Sequence, residues 1–379
     1  MIYFDNAATT FPKPQSVKKA VQAALEKYGA NPGRSGHNLS LLTSEKIFAV
    51  RQQAAKMFHL EQEENVVFTQ NCTHATNIVL KGLLKPGDHV VTSCLEHNAV
   101  MRPLYNLQKN QVSFTAARVF PGDDQRTLES FSSCIKGNTR LIVCTHASNV
   151  WGIKLPIAQI GRLAQEKGIE LMVDAAQTAG VVPIDMKKMG IHYLCCAGHK
   201  GLYGPMGTGL LLINGGSPLE TFMEGGTGSM SAMLEQPELL PDRFESGTPN
   251  APGILGLGAG MEFVSEKGIS RIARHEMNLI GLLYQGLKKM NHILLYTEIP
   301  TEKHMVPVLS FNVKEHASEE IAQYLNQHDI AVRAGLQCAP MAHQFMDTLG
   351  VGAIRISPSV FSNAKQVEQL LFWMKQIKK

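Results

Sequence analysis

From about residue 65 the chain alternates short apolar runs with amphipathic stretches. The runs at 65–70, 89–93, 113–119, 139–145, 170–173, 193–197 and 209–213 are rich in β-favouring residues, and helical patterns such as 156–167 separate them. This alternation predicts an α/β fold built on a large, mostly parallel, seven-stranded sheet. Ligands of such sheets sit at the carboxyl ends of the strands. A stretch rich in Gly, Pro and Ser from 225 to 260 is too long for a tight turn and reads as a functional loop. Beyond it a helical segment at 269–289 leads into a second unit. That unit has strand-like 306–313, helical 318–328, strand-like 331–333 and 353–357, and a terminal helix at 364–377. The pattern therefore divides into a large α/β domain over 16–262 and a smaller α+β domain over 263–379, which 1–15 joins. No internal repeat interrupts it.

Composition narrows the class. The 379 residues are 44% hydrophobic and 18% charged, as in a folded protein with one big domain and a smaller one. The formal charge of +4 is scattered, which argues against a nucleic-acid partner. No apolar run approaches the roughly 18 residues that span a bilayer, and Met1 leads into Ile-Tyr-Phe-Asp-Asn without a basic leader, so no membrane association and a cytoplasmic location are expected. Seven cysteines without a CxxC pair fit neither a disulfide framework nor a metal site.

The strongest chemical signal is Ala197-Gly198-His199-Lys200-Gly201-Leu202-Tyr203-Gly204-Pro205, where a strand has just ended. Upstream, the strand Leu171-Met172-Val173 ends on Asp174. Together they deliver an amine and a carboxylate to one sheet edge. Pyridoxal 5′-phosphate (PLP) needs that pair: a lysine to hold the cofactor as an imine, and an acid to keep its ring nitrogen protonated. Taken singly, Lys200 could be a solvated loop residue and Asp174 a helix cap. Further parts follow in order. Thr69-Gln70-Asn71-Cys72-Thr73 opens a helix where backbone N–H groups cradle phosphate, and His97 follows a strand where an imidazole reaches a ring face.

Tyr3-Phe4-Asp5-Asn6-Ala7-Ala8, Glu96-His97-Asn98, His146-Ala147-Ser148-Asn149, Val173-Asp174-Ala175-Ala176-Gln177, Gly198-His199-Lys200 and Phe244-Glu245-Ser246-Gly247-Thr248-Pro249-Asn250 occur in one chain. In that order they resemble the cysteine desulfurase family of class V aminotransferase-type proteins, with PLP fold type I, over nearly the full length. The resemblance implies that Lys200 carries PLP, Asp174 pairs with the ring nitrogen, Gln177 bonds the phenolic oxygen and His97 stacks on the ring. It assigns Thr73, Cys72 and His199 to the phosphate region and Asn149 to cofactor and substrate. Thr248 would reach the phosphate of a partner subunit, implying a homodimer, and His37 and Arg355 would address the substrate. Arg355 suits an α-carboxylate through two parallel charge-assisted bonds.

The segment Val332-Arg333-Ala334-Gly335-Leu336-Gln337-Cys338-Ala339-Pro340 resembles the family's active-site loop, whose cysteine takes sulfur from the substrate. Cys338 lies in a Gly-flanked loop, whereas Cys144, Cys195 and Cys196 lie in apolar strands. The implied activity converts L-cysteine to L-alanine and leaves a persulfide on Cys338 for a docking acceptor protein. Ala197, Cys72, Gly201 and Gln337 depart from the family pattern; a histidine is frequent where Gln337 stands. A selenocysteine lyase acting on L-selenocysteine, a β-lyase, epimerase or transaminase, and a non-catalytic sulfur carrier or scaffold are the rivals. A dinucleotide-binding oxidoreductase is excluded for want of a GxGxxG after an early strand.

Overall fold

A computed structural model describes residues 1–33 and 36–377. Strand β1 (Ile2–Tyr3) is followed by helices α1 (Gln15–Lys27) and α2 (Asn38–Met57). The large sheet then takes β2 (Val66–Thr69), β3 (His89–Ser93), β4 (Ser113–Ala117), β5 (Thr139–Thr145), β6 (Glu170–Asp174), β7 (Tyr193–Ala197) and β8 (Gly209–Ile213). Between them run α3 (Cys72–Leu83), α4 (Asn98–Leu107), α5 (Asp124–Cys134) and α6 (Ile157–Glu166). The seven strands lie in the order β2-β8-β7-β6-β5-β3-β4, and only β8 runs against its neighbours. The expected α/β class and seven-stranded sheet are what the chain forms.

Strands β3 and β5 to β8 read as nearly unbroken apolar runs because both faces are covered. Side chains alternate between the faces: Leu141 and Val143 join one core with α3 and α4, while Ile142 and Cys144 join the other with α2 and α6. The parallel register sets Thr145 beside Asp174 and Asp174 beside Cys195, so neighbouring strands finish at one edge. Gly209 pairs with both Thr69 and Ala197, which brings the end of β2 to the same edge. Each candidate that follows a strand is thus delivered to one rim.

Helices α7 (Ala251–Lys267) and α8 (Ile269–Lys288) lead to the second unit, with only Gly268 between them. It contains β9 (Ile293–Leu295), β10 (Leu309–Val313), α9 (Ser318–Gln327), β11 (Ile330–Ala331), α10 (Pro340–Phe345), β12 (Ile354–Ile356) and α11 (Ala364–Gln376). Strands β9, β10 and β12 make an antiparallel sheet; β1 pairs with β11, so the N-terminus returns to this unit. No helix among the described residues is long and apolar enough to cross a membrane.

Three expectations need correction. The irregular stretch ends at Asn250, whose side chain accepts from Gly253 N (3.0 Å) and caps α7. The glycines that follow serve close packing rather than turns: a Cβ on Gly260 would collide with the Leu202 carbonyl oxygen. A boundary at 262/263 therefore falls inside α7. Strand β10 begins at Leu309 rather than 306, since Pro307 has no N–H for a ladder and Val306 N instead donates to Gly152 O (2.8 Å).

Helix α8 also buries an acid. Glu276 is 4% exposed, and Tyr203, just beyond Lys200, donates to its Oε1 (3.2 Å) while accepting from Val360 N (3.1 Å). Burial raises its pKa to about 8, against the lowering effect of the Tyr203 bond. The folded protein thus holds a proton that the unfolded chain gives up near 4.5, so the stability this group contributes is full below about 4.5 and is lost as pH rises through about 8. Glu276→Gln, neutral at every pH, should gain on wild type across that window. Denaturation midpoints at its two ends measure this; parallel profiles for the two proteins would refute it.

Candidate active site

The strand ends and the 333–338 loop enclose a cavity of about 240 Å³. Of the residues singled out from sequence, Cys72, Thr73, His97, Asn149, Asp174, Gln177, His199, Lys200, Cys338 and Arg355 all line it. His37 and Thr248 do not. His37 is exposed and its Nδ1 accepts from Ser40 N (3.2 Å), capping α2. Thr248 is exposed on the rim of a different pocket, with Phe68 and Glu245.

Lys200 sits just past β7. Burial lowers its pKa, the Arg355 charge adds to this, and Asp174 opposes it. A lysine made easier to deprotonate is more available as the free amine, the form that acts as nucleophile and base. Asp174 closes β6 and is 4% exposed. Ala176 N (2.8 Å) and the Cys72 thiol (3.3 Å) both donate to its Oδ1, which leaves Oδ2 for a ligand. Burial first, then Asp174, pushes the Cys72 pKa far up, so this thiol remains a donor that orients Asp174.

Helix α3 starts at Cys72 with the Asn71 side chain accepting from His74 N (2.8 Å). The first backbone N–H groups of α3 have no intrahelical partner, and Asn71, Cys72 and Thr73 face the cavity: an anion site at a helix N-terminus. His97 caps α4, its Nδ1 accepting from Ala99 N (3.0 Å), so the neutral ring carries its proton on Nε2. Burial lowers its pKa despite Asp174, which favours that neutral form. Burial, then Lys200 and Lys13, takes His199 to about 4.

Arg355 is 3% exposed, not a surface ion pair. Its Nη2 donates to Asp5 Oδ1 (2.8 Å) and its Nη1 to Asn149 O (2.9 Å). These bonds aim the guanidinium and leave other donors unused, Nε among them. Gln177 Nε2 is tied to Ala7 O (3.0 Å) and Asn149 Nδ2 to Gln337 O (2.7 Å).

The walls suit PLP. His199, Asn149 and Arg355 line the cavity, and each carries a buried polar atom without a hydrogen-bond partner (Nδ1, Oδ1 and Nε), the kind of orphaned group that calls for an explanation such as a ligand close by. A helix N-terminus for a phosphate, an acid for a ring nitrogen, an imidazole and a lysine surround one space. Sequence reasoning did not single out Asp5 or Arg333 as site residues. Asp5 anchors Arg355, and Arg333 lines the cavity from a strand bridge to Arg355. Two arginines flanking the cysteine loop were the available signal. Gly201 has a packing reason: a Cβ there would lie 2.5 Å from Ala179 O.

Comparison with known proteins identifies the chain's relatives. Residues 2–370 match the model of the family "Aminotransferase class-V". A probable cysteine desulfurase of Pyrococcus abyssi is 33% identical over 401 residues, with 100% of this chain and 94% of the relative covered. A cysteine desulfurase of Shigella flexneri is 31% identical over 389 residues, covering 100% and 93%. The apo structure of a cysteine desulfurase from Thermococcus onnurineus superposes with a TM-score of 0.89 at 32% identity, covering 99% of this chain and 94% of that one. This chain belongs to the class V aminotransferase family, within its cysteine desulfurases.

Proposed function

We propose that the protein is a PLP-dependent cysteine desulfurase that takes sulfur from L-cysteine onto Cys338, releases L-alanine and hands the sulfur to an acceptor. The observation that carries this reading is the meeting of Lys200, Asp174, Arg355 and Cys338 on one cavity. Transaminases, epimerases and β-lyases need the first three; only sulfur transfer needs the fourth.

Bound PLP would supply an electron sink for the pair released at the substrate Cα. Asp174 would hold a proton at the ring nitrogen, His97 would cover the ring, Gln177 would meet the phenolic oxygen, and Thr73 with His199 would hold the phosphate. Arg355 binds the α-carboxylate, beside Asn149, and so selects an α-amino acid. Lys200 takes the α-proton. Cys338, as thiolate, attacks the substrate sulfur; an S–S bond forms, the Cβ–S bond breaks, and a proton reaches Cβ to give alanine.

Asn98 N donates to Cys338 O (2.8 Å), pinning the loop. A pinned cysteine cannot carry its sulfur far, so the acceptor is a protein that docks at the cavity mouth. Thr248 reaches the phosphate site of a second subunit. The exposed Met223, Met230, Met233, Leu234 and Leu239 of the preceding segment suit a face that a second copy covers.

The test is to supply L-cysteine or L-selenocysteine with a reductant and measure alanine together with sulfide or selenide. Equal alanine and sulfide from L-cysteine is expected. Alanine from L-selenocysteine alone would overturn the reading.

A further inference from the structure

The cysteine loop is held in an unusual backbone state. Gln337 (φ +42°) and Cys338 (φ +56°) are consecutive non-glycine residues in the left-handed region, which needs enforcement by the surroundings. Gln337 lies where the family often has a histidine, and a glutamine cannot shuttle a proton as an imidazole can. The structure uses it otherwise. Its side chain is 6% exposed; Nε2 donates to Ala353 O (2.8 Å), and its backbone oxygen accepts from Asn149. With Nε2 so committed, Oε1 accepts, and its partner is His343 Nε2 (2.9 Å).

His343, on α10, is fully buried. Since Nε2 donates to Gln337, the neutral ring accepts at Nδ1, where Thr348 Oγ1 donates (2.8 Å). Burial lowers the His343 pKa and so favours this neutral tautomer. Trp151 closes the far side: its ring lies 5.4 Å from His343, and its Nε1 donates to Ala342 O (2.7 Å). His343 does not line the cavity, yet through Gln337 it is one residue removed from Cys338.

We propose that Thr348, His343 and Gln337 form one buried strut that holds Cys338 in its left-handed geometry, making His343 and Gln337 positioning residues for sulfur transfer. The inference rests on the desulfurase reading for its kinetic consequence, but not for its structural one. Every polar group of the strut is paired, so removing one member leaves its neighbour buried and unsatisfied and frees the loop.

The test uses the holoenzyme with His343→Phe, which keeps an aromatic ring but neither nitrogen, and His343→Gln, whose amide restores a donor near Nε2. In His343→Phe, kcat for alanine formation from L-cysteine should fall about tenfold or more, as when a reacting group is misplaced, with little change in KM. His343→Gln should recover much of it. Alkylation of Cys338 by iodoacetamide without substrate should change rate in His343→Phe and return toward wild type in His343→Gln. This second readout stands even if the protein is no desulfurase, which separates the two failures. Should His343→Phe not fold, Thr348→Val removes the hydroxyl's contacts with His343 Nδ1 (2.8 Å) and His343 O (3.3 Å), leaves the His343–Gln337 bond in place, and should show smaller shifts in the same direction. Wild-type alkylation rates in the folded variants, or KM and kcat declining together without rescue by His343→Gln, would overturn the strut.

Discussion

Cys338→Ala should lose persulfide formation and alanine production from L-cysteine, by about a thousandfold or more, the scale of removing an enzyme's nucleophile. The absorbance of bound PLP should be unchanged. The contrast follows from where the side chains sit. Lys200, Asp174, Cys72 and Thr73 are carried by the ends of β6 and β7 and the start of α3, whereas Cys338 comes from a loop of the second unit across the cavity. Removing its thiol takes away the group that accepts sulfur and leaves the cofactor walls intact. Cys72, the other cysteine that lines the cavity, is a poor replacement, since burial and then Asp174 push its thiol far up in pKa and its Sγ donates to Asp174; Cys144, Cys195 and Cys196 are buried in strands, and burial pushes their thiols up too. Spectral titration with PLP and an alanine assay on one preparation measure both halves. Retained turnover in Cys338→Ala would assign a different reaction to the same walls.

Lys200→Ala should abolish every activity, because it removes both the cofactor's attachment and the base at the substrate Cα. Lys200→Arg separates charge from chemistry. A guanidinium preserves the positive charge between Asp174 and Arg355 but neither forms an imine nor gives up its proton near neutral pH. If Lys200→Arg is as inactive as Lys200→Ala, the amine itself is required. Activity in the arginine variant above a tenth of wild type would mean that Lys200 acts only as a countercharge; the measurement is alanine release, with the visible spectrum of the lysine-bound cofactor followed alongside.

Much of this site was legible in the sequence, for a physical reason. The strands of the large sheet are buried on both faces, so their apolar runs stand out, and the residue just past each run falls at the carboxyl edge. Asp174, Lys200, His97 and Thr73 could be placed from that rule alone, and the ends of β3, β5, β7 and β8 match the apolar runs. What could not be read were interactions between distant segments. Asp5 is next to Arg355 only because β1 pairs with β11 and the chain continues to a bridge with Ser357. His343 carries no signal of its role in the sequence, since its contact with Gln337 depends on how α10 folds back under the loop. The glycines of α7 misled, because glycine marks both turns and backbone contacts between packed segments, and composition does not tell them apart. Thr248 and His37 lie off the cavity of their own chain, and a single chain gives them no nearby ligand.

The most direct measurement is the mass of the Cys338-containing peptide after the holoenzyme has met one equivalent of L-cysteine without acceptor or reductant. The mass should rise by one sulfur atom on Cys338, with a matching amount of alanine. Alanine formed while Cys338 stays unmodified and no other cysteine gains sulfur would contradict sulfur transfer to the protein.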